Sequence, residues 1–129
     1  CTRNLPQEKY HEVLVDLSFV NSDELVDLGE CWPKFEYAAE YHRPTHFEIN
    51  IRNTPDNPFL MIKILCHELV HVRQFCTDGL RFYLNGKYKF KKVKYTEDLE
   101  YDDMPWEIEA NEEMEQIMFD FLQKLWNIY

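Results

Sequence analysis

The sequence predicts an α+β fold: a small antiparallel sheet with one helix over about residues 58–76 and a second over about 105–128, in a single domain spanning 1–129. Three observations predict it. His46 to Ile51 alternates apolar and polar side chains, the period-2 signature of a half-buried strand. Pro58 to Cys76 carries apolar residues at helical spacing instead, with Asn57 as N-cap and Pro58 at the first helical position. Pro105 opens a second such stretch, whose apolar face is Ala110, Met114, Ile117, Met118, Phe121 and Leu125.

The other elements follow in order. Residues 1–10 are polar and read as loose. His11 to Val20 alternates as a strand through Val13, Val15, Leu17 and Phe19. Asn21 to Pro33 is acidic and turn-rich, with room for a short helix. Lys34 to Tyr41 reads as a strand, broken after Tyr41 because Pro44 cannot donate a ladder hydrogen bond. His46 to Ile51 then returns as the second half of a hairpin. The first long helix stops before Asp78-Gly79. Leu80 to Tyr95 reads as a second hairpin turning at Asn85-Gly86, and Thr96 to Met104 as an acidic loop.

Composition bounds the function. Apolar residues make up 45% of the 129, and aromatics 16%, enough for a core without covalent staples. A formal charge of -10 argues against direct contact with nucleic acid and against docking on anionic lipid. The basic cluster Lys87 to Lys94 alternates with Tyr88, Phe90, Val93 and Tyr95 and reads as the solvated face of a strand. Cys1, Cys31, Cys66 and Cys76 form no CxxC pair, and reduced thiols are expected. No apolar run is long enough to span a membrane. No leader segment opens the chain, so a cytoplasmic location is expected.

The pattern that carries chemistry is His67-Glu68-Leu69-Val70-His71, inside the first helix. Residues four apart lie on one helical face, so both imidazoles can hold one ion, with Glu68 placed as general base toward a water. On a wheel Ile62, Leu65, Leu69, Val72 and Cys76 form one apolar stripe. His67, His71, Leu60, Ile64 and Phe75 form another, so the histidines face inward.

A catalytic zinc needs a third protein ligand and an open fourth position. A histidine six residues after His71 would be one solution, but positions 74 and 77 are Gln and Thr. The second helix offers Glu107 and Glu109. Glu107 falls on the apolar face, where an unpaired carboxylate is costly. Glu109 points the other way, so Glu107 is favoured. Asn111, at the margin of that face, is a candidate to hold the far nitrogen of a ligand histidine. His42 and His46 flank Pro44 and read as turn residues.

His67-Glu68-xx-His71 followed by a helix bearing Glu107-xx-Ala110-Asn111 resembles the gluzincin class of zinc metallopeptidases. It looks most like the minimal zincin-like domains of bacteria and their phages. The resemblance covers roughly residues 34–128. It implies a zincin-like fold, zinc held by His67, His71 and Glu107, and Glu68 as the base in peptide hydrolysis. The substrate would be a peptide or protein. For a phage-borne gene the compartment would be the host cytoplasm. The gap from His71 to Glu107 is long for a minimal member, which leaves Glu109 or an acidic-loop residue open as third ligand. Such enzymes also place a donor at the oxyanion. Tyr101 is the nominee here, with Tyr95 behind it. In zincins the strand before the motif helix commonly lines the cleft, which by resemblance is His46 to Ile51. The alternative function is a non-catalytic zinc-binding interaction or regulatory module on the same fold.

Overall fold

The computed structural model describes residues 13–21, 25, 27–34, 45–83, 86–96 and 99–128. It is a mixed α+β structure with two small sheets and two long helices.

The first sheet holds β1 (Leu14–Val20), β2 (Gly29–Pro33) and β3 (His46–Arg52), in the order β1-β3-β2. β3 shows why this segment is a strand. Phe47, Ile49 and Ile51 are at most 1% exposed, while the alternate residues are half-buried. The sheet is not purely antiparallel as expected. β2 runs antiparallel to β3, but β1 runs parallel to it, with Leu14 opposite His46 and Val20 opposite Arg52. Alternation fixes which face a strand buries, not its direction. Here the chain leaves β1, crosses to the far edge as β2, and returns as β3 between them. The expected strand Lys34–Tyr41 lies outside the described residues except for Lys34. β2, by contrast, occupies part of the stretch read as turn and short helix.

α1 (Pro58–Thr77) packs on β2 and β3. Its start is capped as the sequence predicts: Asn57 Oδ1 accepts from Leu60 N–H at 3.2 Å, and Pro58 fills the first position. Its end is closed by Asp78 N–H and Leu80 N–H donating to Gln74 O at 3.0 and 3.1 Å, with Gly79 at φ 70°. The stripe of His67, His71 and Phe75 is buried. The other stripe is buried only in part, because Leu69 is 42% exposed.

β4 (Arg81–Phe82), β5 (Tyr88–Phe90) and β6 (Val93–Tyr95) form a meander in place of one hairpin. The additional reversal is at Lys91-Lys92, both with positive φ. Phe82, Tyr88, Phe90 and Tyr95 turn toward Trp106, with ring centroids 5.1 to 6.3 Å from it. A single 3-10 turn, Tyr101–Asp103, then leads into α2 (Pro105–Ile128). The first turns of α2 bury Trp106, Ala110 and Met114. Ile117, Phe121 and Leu125, expected on the core face, are 38–44% exposed. Among the described residues no helix is long and apolar enough to cross a membrane.

Candidate metal centre

Two helices build the site. α1 supplies His67 and His71 one turn apart, and α2 brings Glu107 against them from its first turn. All three side chains are buried, with residue exposures of 7–8%. His67 Nε2 lies 3.1 Å from His71 Nε2 and 3.2 Å from Glu107 Oε1, and His71 Nε2 lies 3.1 Å from that same oxygen. The three donor atoms thus form a nearly equilateral triangle. A tetrahedral ion with bonds of about 2.0–2.1 Å sets its donors about 3.3–3.4 Å apart. The triangle fits such an ion after a shift of a few tenths of an ångström.

The proton on His71 is fixed by Gln74, one turn further along α1. Gln74 Nε2 donates to Trp106 O at 3.0 Å and to Glu109 Oε1 at 2.9 Å. Both of those are acceptors, so the amide oxygen must face the other way. It does, accepting from His71 Nδ1 at 2.7 Å. In the neutral ring Nδ1 therefore carries the hydrogen, and Nε2 presents a lone pair to the triangle.

Glu109 is not part of the triangle. Its carboxylate accepts from Arg73, Lys91 and Gln74 at 2.6, 2.7 and 2.9 Å. Burial alone would raise its pKa, but those hydrogen bonds and the two cations hold it low. Asn111, expected to steady a histidine, is exposed on the outer side of α2. Gln74 fills that place instead. It is fully buried, lies three residues after His71, and stands on the same helical face. That spacing is the signal that could have identified it. His46 pairs with Asp16 at 3.0 Å and is no part of the triangle. His42 and Cys1 lie outside the described residues, and Cys31, Cys66 and Cys76 are free thiols.

Glu68 is 5% exposed, with Oε2 at 3.9 Å from His67 Nε2. Burial raises its carboxyl above the ordinary value, while His71 and His67 oppose the rise. Glu107 is the reverse case. Burial would raise it, but in the metal-free site hydrogen bonds from His67, from protonated His71 and from Tyr101, with the charge on the His71 ring, hold it down to about 2. Two neighbouring carboxyls are thereby pushed apart in basicity. Tyr101 Oη donates to Glu107 Oε1 at 2.8 Å. Burial and that carboxylate push its phenol above the usual range. Tyr95 packs edge-on against Trp106 and is not in the wall of the cavity described below.

A cavity of about 390 Å³ opens beside the triangle, with Glu68, His71, Glu107 and Tyr101 in its wall. Phe75, Phe82, Tyr88 and Trp106 give it an aromatic floor. Its strand wall is β2, with Gly29, Glu30, Cys31 and Trp32, and not β3 as expected. β3 cannot serve, because both of its edges are already paired. Gly29 is required at its position. A Cβ there would sit 2.5 Å from Ile64 Cγ2 and 3.3 Å from Glu68 Oε2.

Comparison of the chain with protein families, curated proteins and solved structures finds no match. The assignment rests on the residues themselves: the chain carries a buried His67–His71–Glu107 group that could hold a metal ion.

Proposed function

We propose that this chain is a zinc-dependent peptidase with a zincin-like fold. The observation that carries the proposal is Glu68, a buried carboxylate with raised basicity that lies beside His67 and shares the wall of an open cavity with His71 and Glu107. A site that only stored metal has no need of it.

His67 Nε2, His71 Nε2 and the Glu107 carboxylate would hold the ion. A bound zinc supplies Lewis acidity, bringing the pKa of water from its bulk value toward about 7. Glu68 is placed to take the proton of that water as the water attacks a peptide carbonyl, and to pass it to the leaving amine. Burial, which raises the Glu68 carboxyl above its ordinary value, makes it a stronger base than an exposed glutamate for the first step. Tyr101 stays protonated and can donate to the carbonyl oxygen as charge develops on it.

The substrate backbone has a partner in β2. Arg52 N–H donates to Leu28 O and Lys34 N–H to His46 O, so the positions bonded to β3 are 28, 30, 32 and 34. The N–H and C=O groups of Gly29 and Cys31 therefore face the opposite edge, beside Glu68. Among the described residues no strand occupies that edge. An extended peptide can add there as a further strand, and Pro33, which lacks an N–H, ends the ladder.

The test is hydrolysis of casein and of a peptide library by wild type and Glu68→Gln at matched zinc content. The variant should hold the same zinc and lose cleavage by about a hundredfold or more. Zinc in both proteins with cleavage in neither would favour the non-catalytic module. Equal cleavage by both would exclude Glu68 as the base.

A further inference from the structure

The second sheet has a face that the candidate metal centre does not use. Residues 81–94 hold six of the chain's 14 cations and none of its 24 carboxylates. Pairing puts them in order. Arg81 lies opposite Lys89, and Lys89 opposite Lys94, so three like charges form one cross-strand row. Such rows destabilise a sheet. The neighbouring row, Phe82, Tyr88 and Tyr95, turns the other way onto Trp106. The sheet is thus aromatic inside and cationic outside, in a chain of net charge -10.

Beside this row is an open cavity of about 570 Å³ lined by Arg81, Lys89, Lys91 and Lys92, with hydroxyls from Thr77 and Tyr83. Its Lys91-Lys92 reversal has φ of 49° and 70°, a backbone that favours Asn and Gly. Internal pairing accounts for part of this. Lys91 binds Glu109 at 2.7 Å, and its N–H donates to Asp78 O at 2.9 Å. Arg81 donates to the carbonyls of Phe75 and Leu80. Asp78, the one carboxylate in the cavity wall, is engaged by Arg73 at 3.4 Å. Lys89 and Lys92 have no ion-pair partner among the described residues. A solvated strand face explains Lys94 but not lysines that converge on a concavity.

We propose that this cavity binds a compact polyphosphate. Cations this closely set match a ligand of equally dense charge, and the Tyr83 hydroxyl can donate to a phosphate oxygen, whereas that of Thr77 already donates to Arg73 O at 2.9 Å. Compactness follows from the surroundings. Three strands span only about 10 Å, and charges act over about 8 Å at physiological salt. A long polyanion would run out of the cationic row onto an acidic molecule. Nucleobases would also find no row of rings to stack on, because the sheet's aromatics are turned inward.

The test is calorimetric titration of the zinc-loaded chain with inorganic tripolyphosphate, for wild type, Lys89→Glu/Lys92→Glu, and Lys124→Glu. Lys124, in the last turns of α2, controls for general charge. Wild type and Lys124→Glu should bind about one equivalent, and the double variant should bind about tenfold or more weakly. Any stripping of zinc by the probe is common to all three proteins and cannot imitate that difference. Lys92→Gln gives a milder second reading if the double variant folds poorly. The proposal is overturned if tripolyphosphate does not bind, if the double variant binds it equally well, or if a single-stranded oligonucleotide or citrate binds as tightly.

Discussion

At the scale of single residues, Gln74 connects the two halves of the candidate centre. Its oxygen fixes the His71 tautomer, and its nitrogen ties α1 to Trp106 and Glu109 of α2. Gln74→Ala should weaken zinc binding by about 10- to 100-fold in a chelator competition assay, with the fold retained. Unchanged affinity would mean that the tautomer is set by something else. Tyr101→Phe should keep zinc and lower kcat more than it raises KM, as expected of a donor used only when charge develops. An increase in KM alone would make Tyr101 a binding residue. His67, Glu68 and His71 were legible because helical spacing alone puts them together. Glu107 was legible as a carboxylate on an apolar face, where Glu109, turned toward Arg73 and Lys91, is not. Asn111 misled because a wheel does not say how far round the helix the partner reaches.

At the scale of elements, β2 decides the shape of the cleft, and it was the element the sequence concealed. Its five residues, Gly-Glu-Cys-Trp-Pro, begin with Gly and end with Pro, both poor strand formers. They form a strand because β3 offers an edge, and because α1 presses so close that only a glycine fits at position 29. Gly29→Ala should destabilise the protein by about 1–3 kcal/mol, as overpacking does, and should depress cleavage beyond that by displacing Glu68. Denaturant titration and kcat/KM of the same preparation check this. A variant as stable and as active as wild type would show that α1 and β2 can separate there. The parallel run of β1 was hidden for another reason: its alternation would serve either direction equally. α1 and α2 were legible almost to the residue, because caps and prolines mark helix ends in local chemistry.

At the scale of the whole molecule, a metal held by the His67–His71–Glu107 group would couple its binding to folding. Without an ion, two imidazoles and a carboxylate share a buried triangle, so the metal-free chain should depend on pH in a particular way. Glu107 is held down to about 2 against an ordinary 4.5, so its contribution is complete above 4.5 and is lost as pH falls toward 2. His71 is raised above its ordinary 6.5. Burial alone would lower it, but the hydrogen bond and charge of Glu107 prevail. Its contribution is complete below 6.5 and is lost as pH rises through the folded value. Stability from this pair is therefore greatest between those two ordinary values. Denaturation of the chelated protein should show it weaker at about pH 8.5 than at about pH 5.5, with the difference reduced in Glu107→Gln. A chelated wild type that gains stability over that interval would contradict the coupling. Zinc at about a thousand times its Kd should add about 4 kcal/mol.

X-ray absorption on the zinc-loaded chain, together with its metal content, reads out whether His67, His71 and Glu107 hold one zinc. The expected result is about one zinc per chain, with two imidazole nitrogens and oxygen at about 2.0–2.1 Å and no sulfur. A chain that holds no zinc, or a shell containing sulfur at about 2.3 Å, would contradict it.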